Sequence, residues 1–178
     1  ETKSGHPSVV TDTTDAFTET GIRLTSGKEL PADIIVTATG LDLVFLGGTE
    51  VSVDGKRVEL PKLLTYKGMM YQGVPNLVSI FGYTNASWTL KCDLTCEYAC
   101  RVMARMDKLG VKQATPTVAD ANMKQVPWLD FSSGYVQRSI DRFPKQGEVK
   151  PWRLNQNYAL DVLMLRFGKL NDPELVFS

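Results

Sequence analysis

One short stretch constrains the fold of this chain more than any other. It reads Asp33-Ile-Ile-Val-Thr-Ala-Thr-Gly40 and combines an apolar run with small residues at its end. The β-branched residues Ile34, Ile35 and Val36 favour a buried strand. Gly40 has no β-carbon, so the backbone there can turn sharply or approach a ligand closely. We therefore predict a buried strand that ends at a tight turn.

A second segment, residues 77–82, has a similar organisation. It is again apolar and again ends in glycine, and residues 83–88 lead from it into a helical pattern. In doubly wound α/β proteins, nucleotide cofactors lie across the carboxyl edge of the sheet, where the strands end. The two segments together predict a mixed α and β fold with a nucleotide cofactor beside the strand ends.

The bulk composition argues against several classes of function. The chain has 178 residues, of which 43% are hydrophobic and 22% charged, and its formal net charge is zero. This balance is typical of a globular protein and argues against nucleic acid or an anionic membrane as the main partner. No apolar run approaches the ~18 residues of a membrane span, and no signal peptide is visible, so we expect a cytoplasmic protein. The chain begins at Glu1 within polar sequence, and we expect it to be part of a longer protein.

Three cysteines, Cys92, Cys96 and Cys100, recur every four residues within a helical pattern and therefore share one helix face. Their β-carbons would lie roughly 5–6 Å apart, which is too far for a disulfide. No fourth ligand for a tetrahedral metal site is nearby in the sequence. We predict that they are buried, unpaired thiols facing the core of a protein from a reducing compartment.

Short antiparallel strands are predicted in the first half of the chain. Residues 15–20, 21–24 and 29–35 read as strands separated by turns that contain glycine. Asp54 and Gly55 form a hairpin signal after the alternating residues 51–53.

Helices are predicted in the second half. From residue 87 to 109 apolar residues recur at steps of four, with a last step of three, and Gly110 is a natural stop. The periodic residues are Leu94, Tyr98, Val102, Met106 and Leu109. Shorter helices are predicted at residues 132–143 and 155–167, each followed by a residue that ends helices.

Several kinds of active site are disfavoured by what the sequence lacks. The one histidine, His6, lies in the least patterned stretch, so a Ser-His-Asp, Cys-His or histidine-rich metal site is not expected. Neither a G-x-x-x-x-G-K-[ST] nor a G-x-G-x-x-G phosphate loop occurs. The chain therefore lacks the glycine-rich loop that usually binds a nucleotide pyrophosphate.

The start of the long helix offers a second, weaker way to bind a negatively charged group. Thr84, Asn85 and Ser87 are each suitable N-cap residues. The free N–H groups and the positive end of the helix dipole would face a phosphate, or a ring that gains negative charge on reduction. An ordinary capped helix within the core is the alternative. Tyr83 and Trp88 flank the turn and would either stack on a planar ligand or pack in the core.

Both segments resemble the class B flavoprotein monooxygenases. Residues 33–40 match in full the D-x-[IV]-[IV]-x-A-T-G stretch at which that family returns from an inserted NADP domain to its FAD domain. Residues 82–91, Gly-Tyr-Thr-Asn-Ala-Ser-Trp-Thr-Leu-Lys, resemble the end of the FAD domain in the branch that includes Baeyer–Villiger-type enzymes. The tail resembles the same branch in Pro144-Lys-Gln-Gly147, Pro151-Trp-Arg-Leu154 and Gln156-Asn-Tyr158.

The resemblance implies roles for matched positions. The implied cofactor-site positions are Thr39, Gly40, Gly82, Thr84, Asn85, Ser87 and Trp88. The first two would lie at the junction between the NADP and FAD domains, and the others on the FAD side, with Trp88 and Tyr83 helping to shape the substrate side. The glycine-rich FAD and NADP loops and the active-site arginine of the family are expected upstream of Glu1. We therefore assign no catalytic residue and no metal site to this chain.

The implied organisation is a fragment of a flavoprotein with two dinucleotide-binding domains. Residues 1–40 would be the end of the inserted NADP-type domain and the junction back to the FAD domain. Residues 41–125 would be the C-terminal part of the FAD-binding domain, and residues 126–178 a helical C-terminal extension.

The implied activity is that of an FAD-dependent, NADPH-using monooxygenase that inserts one oxygen atom from O2 into a ketone or a soft heteroatom of a small molecule. The fragment alone is expected to be inactive, to bind no cofactor stably, and to self-associate through exposed apolar surface. A redox-inactive interaction module derived from the same fold is the alternative. A pyridine-nucleotide disulfide reductase is disfavoured, because the cysteines form no C-x-x-C pair.

Overall fold

The computed structural model describes residues 8–120, 122–129 and 131–178. His6 lies outside the described residues. The chain divides into two compact units, Glu1–Gly40 and Leu41–Ser178. Strands and helices both occur, which confirms the prediction of a mixed α and β fold.

The first unit contains a three-stranded antiparallel sheet. Its strands are β1 (Thr14–Thr18), β2 (Gly21–Leu24) and β3 (Glu29–Pro31), paired in that order. At Gly21 a β-carbon would lie 2.0 Å from the carbonyl oxygen of Leu30, so the close approach of β2 and β3 requires glycine. The predicted hairpins are confirmed, although β3 is shorter than the predicted strand.

The predicted buried strand within residues 33–40 is wrong. These residues form no strand, and Ile34 and Val36 are 83% and 84% exposed. A buried strand needs neighbours that accept its backbone hydrogen bonds and cover both of its faces. Within residues 8–40 the β2–β3 pairing ends at Pro31, so nothing in the described part of this unit pairs with the apolar run. A β-branched pattern alone therefore does not make a strand here.

The strands of the second unit form short antiparallel pairs. The pairs are β4 (Val51–Val53) with β5 (Lys56–Val58), β6 (Thr65–Tyr66) with β7 (Met70–Tyr71), β8 (Ala114–Pro116) with β11 (Leu175–Phe177), and β9 (Gln125–Pro127) with β10 (Lys145–Gly147). The β4–β5 hairpin turns at Asp54 and Gly55, which both have positive φ, as the sequence predicts.

The three predicted helices are confirmed. Their bounds are α1 (Trp88–Leu109), α2 (Gly134–Ser139) with a 3-10 turn at Ile140–Arg142, and α3 (Tyr158–Asp161) with a π-helical segment at Val162–Phe167. Further 3-10 turns lie at Phe45–Gly48 and Leu60–Lys62. α1 ends at Gly110, which adopts the left-handed conformation with φ 68°. Among the helices of the described ranges, none combines the length and apolar character needed to cross a bilayer.

α1 packs its apolar face into the main core of the second unit. Leu94, Tyr98 and Val102 are almost fully buried there, as their spacing predicts, whereas Leu109 at the end of the pattern is 44% exposed. The other buried members are Leu64, Tyr66, Met69, Met70, Ala114, Trp152, Leu165 and Leu175. Burying one large apolar side chain contributes about 1.5–3 kcal/mol, so this face determines how α1 lies in the unit.

A second cluster joins the C-terminal extension (residues 126–178) to the segment before α1. Its buried members are Trp128, Leu129, Val136 and Phe143. Phe81 packs on Trp128 with ring centroids 4.6 Å apart. The extension therefore covers the chain immediately ahead of the long helix.

The cysteines do not face the core, so the prediction that they are buried is wrong. Cys96 and Cys100 are exposed, and Cys92 is partly exposed. Two residues along an α-helix rotate a side chain by about 200°. Positions 92, 96 and 100 therefore face away from the buried face that starts at Leu94. The spacing identifies a shared face but not which face the core covers.

The predicted strand at residues 77–82 is also wrong. The segment belongs to no strand, and Ile80 is 47% exposed. The segment is anchored through Ser79. The N–H of Ser79 donates to the carbonyl oxygen of Met69 at 2.8 Å, and the hydroxyl of Ser79 forms a hydrogen bond with the hydroxyl of Tyr71. The reason is the same as for residues 33–40: no strand in the described ranges pairs with it.

Candidate functional site

The polar turn at residues 82–88 leads directly into α1. Gly82 is buried against the indole ring of Trp88, where an added β-carbon would lie 2.2 Å from Cγ. Phe81 packs on the same indole with ring centroids 4.7 Å apart. Trp88 nevertheless stays 53% exposed. Gly82 therefore permits the backbone to approach Trp88 closely. The rest of the indole remains open to a ligand.

The N-terminus of α1 lacks a side-chain cap. Ser87 occupies the N-cap position, but its side chain makes no capping hydrogen bond. Its hydroxyl instead pairs with that of Thr89 at 2.8 Å. The first turn of this fully described helix also contains no acidic residue. The first N–H groups and the positive end of the dipole are thus available to an electron-rich partner.

Thr84 and Asn85 are not caps, contrary to that prediction. The backbone N–H and the hydroxyl of Thr84 both donate to Oε1 of Gln156 at 3.1 Å. Nδ2 of Asn85 donates to the carbonyl oxygen of Gln156 at 3.0 Å. A capping side chain must sit next to the first helical residue, and that place belongs to Ser87. Both residues instead attach the turn to the C-terminal extension.

Behind the turn lies a buried network centred on Asp161, which has no exposed surface. Its Oδ2 accepts hydrogen bonds from the Tyr83 hydroxyl and from Nζ of Lys91, each at 2.7 Å. Nδ2 of Asn155 lies 3.5 Å from Oδ1. Burial, and then the bond to Asp161, raises the pKa of Tyr83, so this hydroxyl remains a donor. Tyr83 is therefore packed in the core and bonded there.

Four residues of this arrangement were missed from the sequence: Lys91, Asn155, Gln156 and Asp161. The spacing of Lys91 is the one feature of the sequence that could have identified a member of this network. Lys91 stands three residues before Leu94 and seven before Tyr98, so it lies on the apolar face of α1. A lysine on a buried face requires a partner for its charge. The pattern does not say which carboxylate supplies that partner.

An apolar cavity of about 420 Å³ opens beside the turn. Its lining is mostly aromatic and aliphatic: Leu41, Leu43, Phe81, Tyr83, Thr84, Trp88, Leu129, Phe131, Tyr135, Val136 and Phe143. The volume falls within the range of about 300–1,000 Å³ that is usual for small-molecule sites. The C-terminal extension forms one wall, so the cavity exists only because that region folds back onto the turn.

A larger cavity of about 570 Å³ shares no lining residue with the turn. The two arginines on its wall are already paired, Arg57 with Glu50 at 2.8 Å and Arg142 with Asp42 at 2.6 Å. With its charges neutralised and no aromatic turn beside it, this cavity is the weaker candidate despite its size.

Thr39 and Gly40 lie in the first unit, in exposed chain without regular structure. Gly40 has φ 95°, a conformation that favours glycine. Five of the sequence-predicted positions are instead brought together in a single turn of the second unit: Gly82, Thr84, Asn85, Ser87 and Trp88. In the described ranges no group of three or more His, Cys, Asp or Glu residues could hold a metal ion.

Curated relatives match the chain along nearly its whole length. The FAD-containing monooxygenase EthA of Mycobacterium tuberculosis (strain H37Rv) is 49% identical over 176 residues, covering 99% of this chain and 36% of EthA. EthA of Mycolicibacterium smegmatis is 48% identical over 176 residues, with the same coverage of 99% and 36%. A protein of Acinetobacter baylyi named "Probable FAD-binding monooxygenase AlmA" is 42% identical over 177 residues, covering 99% of this chain and 36% of that protein.

The chain thus spans about a third of the length of these relatives, 36% in each case. No protein-family model matches it, and no solved structure gives a significant match. From the identities of 42–49% over nearly its whole length, this chain is a homologue of the FAD-containing monooxygenases and matches a C-terminal portion of such a protein.

Proposed function

We propose that the protein represented by this chain is an FAD-dependent monooxygenase that uses NADPH and inserts one oxygen atom from O2 into a ketone or a soft heteroatom of a small molecule. The second oxygen atom leaves as water, and NADPH supplies the two electrons. One observation carries the proposal: the uncapped N-terminus of α1 follows the 82–88 turn in a chain 49% identical to FAD-containing monooxygenase EthA.

The turn suits the ring end of FAD. Ser87 leaves the first N–H groups of α1 without a side-chain acceptor, and no acidic residue in that fully described turn opposes an anion. Such donors and the helix dipole stabilise negative charge, which the reduced flavin ring carries. The pyrophosphate end has no partner of the usual kind, because the chain contains no glycine-rich phosphate loop. We place that grip in the part of the protein that corresponds to the unmatched length of the relatives.

When bound, FAD supplies the redox chemistry that passes electrons from NADPH to O2. Residues of this chain shape the surroundings of that chemistry. Trp88 and Phe81 form an aromatic wall, and Leu129 and Phe131 help to line the apolar cavity beside it. An apolar wall excludes water and would keep solvent away from the reacting atoms. The same cavity would take the apolar part of the substrate.

The domain boundaries form part of the proposal. Residues 1–40 belong to the NADP-type domain and its junction, with Thr39 and Gly40 at the hinge, and the division of the chain after Gly40 supports this. Residues 41–125 complete the FAD domain and residues 126–178 form the C-terminal extension. Free thiols at Cys96 and Cys100 suit a reducing compartment, which supports a cytoplasmic location.

A redox-inactive interaction module is the second candidate function. The exposed apolar side chains of Ile34, Val36 and Trp88 favour it, because such surface is typical of regions that another domain or chain covers. The two candidates differ in flavin content and turnover.

The decisive experiment uses the full-length protein. We expect a flavin absorbance spectrum after purification with FAD, and NADPH oxidation with matching O2 uptake and oxygenated product across a panel of ketones and sulfides. A protein that retains no FAD, or a flavin-loaded one that oxidises NADPH with none of these substrates, would contradict the proposal and favour the interaction module.

The fragment itself provides a second measurement. Without the pyrophosphate grip, residues 1–178 should lose their flavin on dialysis and remain colourless. A flavin spectrum that survives dialysis would contradict the division of the FAD site between this chain and the rest of the protein. Free FAD carried through the same dialysis is the control.

A further inference from the structure

The C-terminal extension holds the 82–88 turn through two residues, Gln156 and Asp161. Gln156 accepts two bonds from Thr84 at 3.1 Å through its side chain and one from Asn85 at 3.0 Å through its carbonyl. Asp161 accepts a hydrogen bond from the Tyr83 hydroxyl at 2.7 Å, near the beginning of the turn, and one from Nζ of Lys91 at 2.7 Å, just after its end. The geometry of the turn therefore depends on residues that lie 70 to 78 positions further along the chain.

The charge on Lys91 needs an explanation of its own. Lys91 is the fourth residue of α1, and its side chain is only 5% exposed. A cation in the first turn of a helix opposes the helix dipole, and a buried cation also loses its hydration. Asp161, with 0% side-chain exposure, neutralises it. Buried ion pairs contribute little net stability compared with apolar replacements. What this pair does provide is a fixed position and local electrical neutrality beside the start of α1.

We propose that Asp161 and Gln156 are positioning residues for the flavin site, Gln156 by holding the turn and Asp161 by neutralising Lys91 beneath it. This inference rests on the proposed function. It makes the C-terminal extension a part that sets the flavin's surroundings, in addition to forming a wall of the apolar cavity. In this proposal Gln156 acts through the turn and Asp161 acts through Lys91.

The test uses the full-length protein loaded with FAD at pH 7, with the flavin reduction potential and the FAD dissociation constant as readouts. Asp161→Asn keeps an acceptor for Tyr83 but leaves the Lys91 charge unbalanced. Unbalanced positive charge stabilises the reduced, anionic ring, so the reduction potential should rise. The double variant Asp161→Asn with Lys91→Met removes both charges and should return the potential towards that of the wild type.

Gln156→Ala tests the second half of the inference. It removes both side-chain bonds to Thr84 and leaves the ion pair intact. We expect roughly tenfold weaker FAD binding, the change that corresponds to losing about one hydrogen bond's net contribution, with the potential shifted less than by Asp161→Asn.

Glu97→Gln is the matched control. Glu97 also joins α1 to the C-terminal extension, through Arg166 at 2.6 and 2.8 Å, but this pair is exposed and lies further along α1, beyond its first turn. Its loss should leave the potential and the FAD affinity unchanged. Equal shifts in the Glu97→Gln and Asp161→Asn proteins would show general loosening and overturn the inference.

The possible results distinguish a failure of the proposed function from a failure of the inference about Asp161 and Gln156. A wild-type protein that binds no FAD overturns the proposed function and the inference together. A wild-type protein that binds FAD, with a potential that Asp161→Asn does not raise or that the double variant does not restore, overturns the inference alone. If Asp161→Asn does not fold, the test uses the uncharged double variant and Gln156→Ala. A Gln156→Ala protein that binds FAD as tightly as the wild type then contradicts the inference.

Discussion

Gly82 lies so close to the indole ring of Trp88 that a β-carbon at position 82 would come within 2.2 Å of Cγ and 2.6 Å of Cβ. The backbone of Gly82 has no left-handed φ, so the requirement for glycine comes from this contact alone. The end of the apolar segment and the beginning of α1 are thereby held together.

Gly82→Ala should therefore destabilise the protein by about 1–3 kcal/mol, the usual cost of overpacking a well-filled site. Urea denaturation of the wild-type and variant chains measures this. Trp88→Ala in the same chain should remove most of the penalty, because it removes the clashing ring. Gly134→Ala is the control: only the flexible end of Arg138 lies near, at 3.2 Å, and alanine is the better helix former. A harmless Gly82→Ala would show that the indole moves aside.

Ser87→Asp should have opposite effects on stability and on cofactor binding. A carboxylate at the uncapped N-terminus of α1 would bond its first N–H groups and stabilise the chain by about 0.3–1 kcal/mol. The same charge would repel an electron-rich ring, so FAD binding by the full-length protein should weaken. Thermal denaturation and FAD titration measure the two effects. Ser87→Asn caps without the charge and should retain more FAD affinity; equal affinities in the two variants would argue against an electron-rich ligand at this helix end.

Acid should destabilise the second unit through Asp172. Burial raises the pKa of this carboxyl, but the bonds from Lys67 at 2.6 Å and the Tyr66 hydroxyl at 2.6 Å outweigh burial and hold the pKa below its usual 3.8. A carboxyl with a lowered folded-state pKa contributes stability that is present above the unfolded pKa and is lost as pH falls through the folded value. We therefore expect stability to decline below about pH 4.

Urea denaturation between pH 2.5 and pH 7 measures this dependence. Asp172→Asn should be less stable at neutral pH and should show a shallower decline in acid, because it has no carboxyl to protonate there. Glu97→Gln, which removes an exposed carboxylate, should change the acid slope less. Identical slopes for wild type and Asp172→Asn would contradict the assignment.

The cysteine face of α1 can be mapped by thiol labelling. In the native chain, Cys96 and Cys100 should react rapidly with an aromatic disulfide reagent and Cys92 more slowly, following their exposure. The variant with Cys96→Ser and Cys100→Ser should retain only the slow phase. If all three cysteines react only after denaturation, they are buried, as the sequence pattern predicts, and the exposure of Cys96 and Cys100 in the structure is contradicted.

The local patterns of this sequence are enough to locate the three helices and the hairpins of β1 to β5, but not the strands β6 to β11. Steps of four residues and a terminal glycine define α1, and Asp54-Gly55 defines the β4–β5 hairpin, because both depend on neighbours within a few residues. The run from Gly82 to Lys91 likewise indicates a flavoprotein relative, because that resemblance is carried by consecutive residues. Five of the seven predicted site positions meet in one turn because they are adjacent in sequence.

Tertiary structure alone decided which faces are covered and which polar groups meet. Whether Ile34 lies in a strand depends on a partner strand, and whether Cys96 is buried depends on what packs against α1; neither is encoded within a few residues. The pairing of Asp161 with Tyr83 and Lys91 spans 70 or more residues. The sequence places Lys91 on the apolar face of α1, and only the folding of the C-terminal extension onto the turn determined that Asp161 is its buried partner.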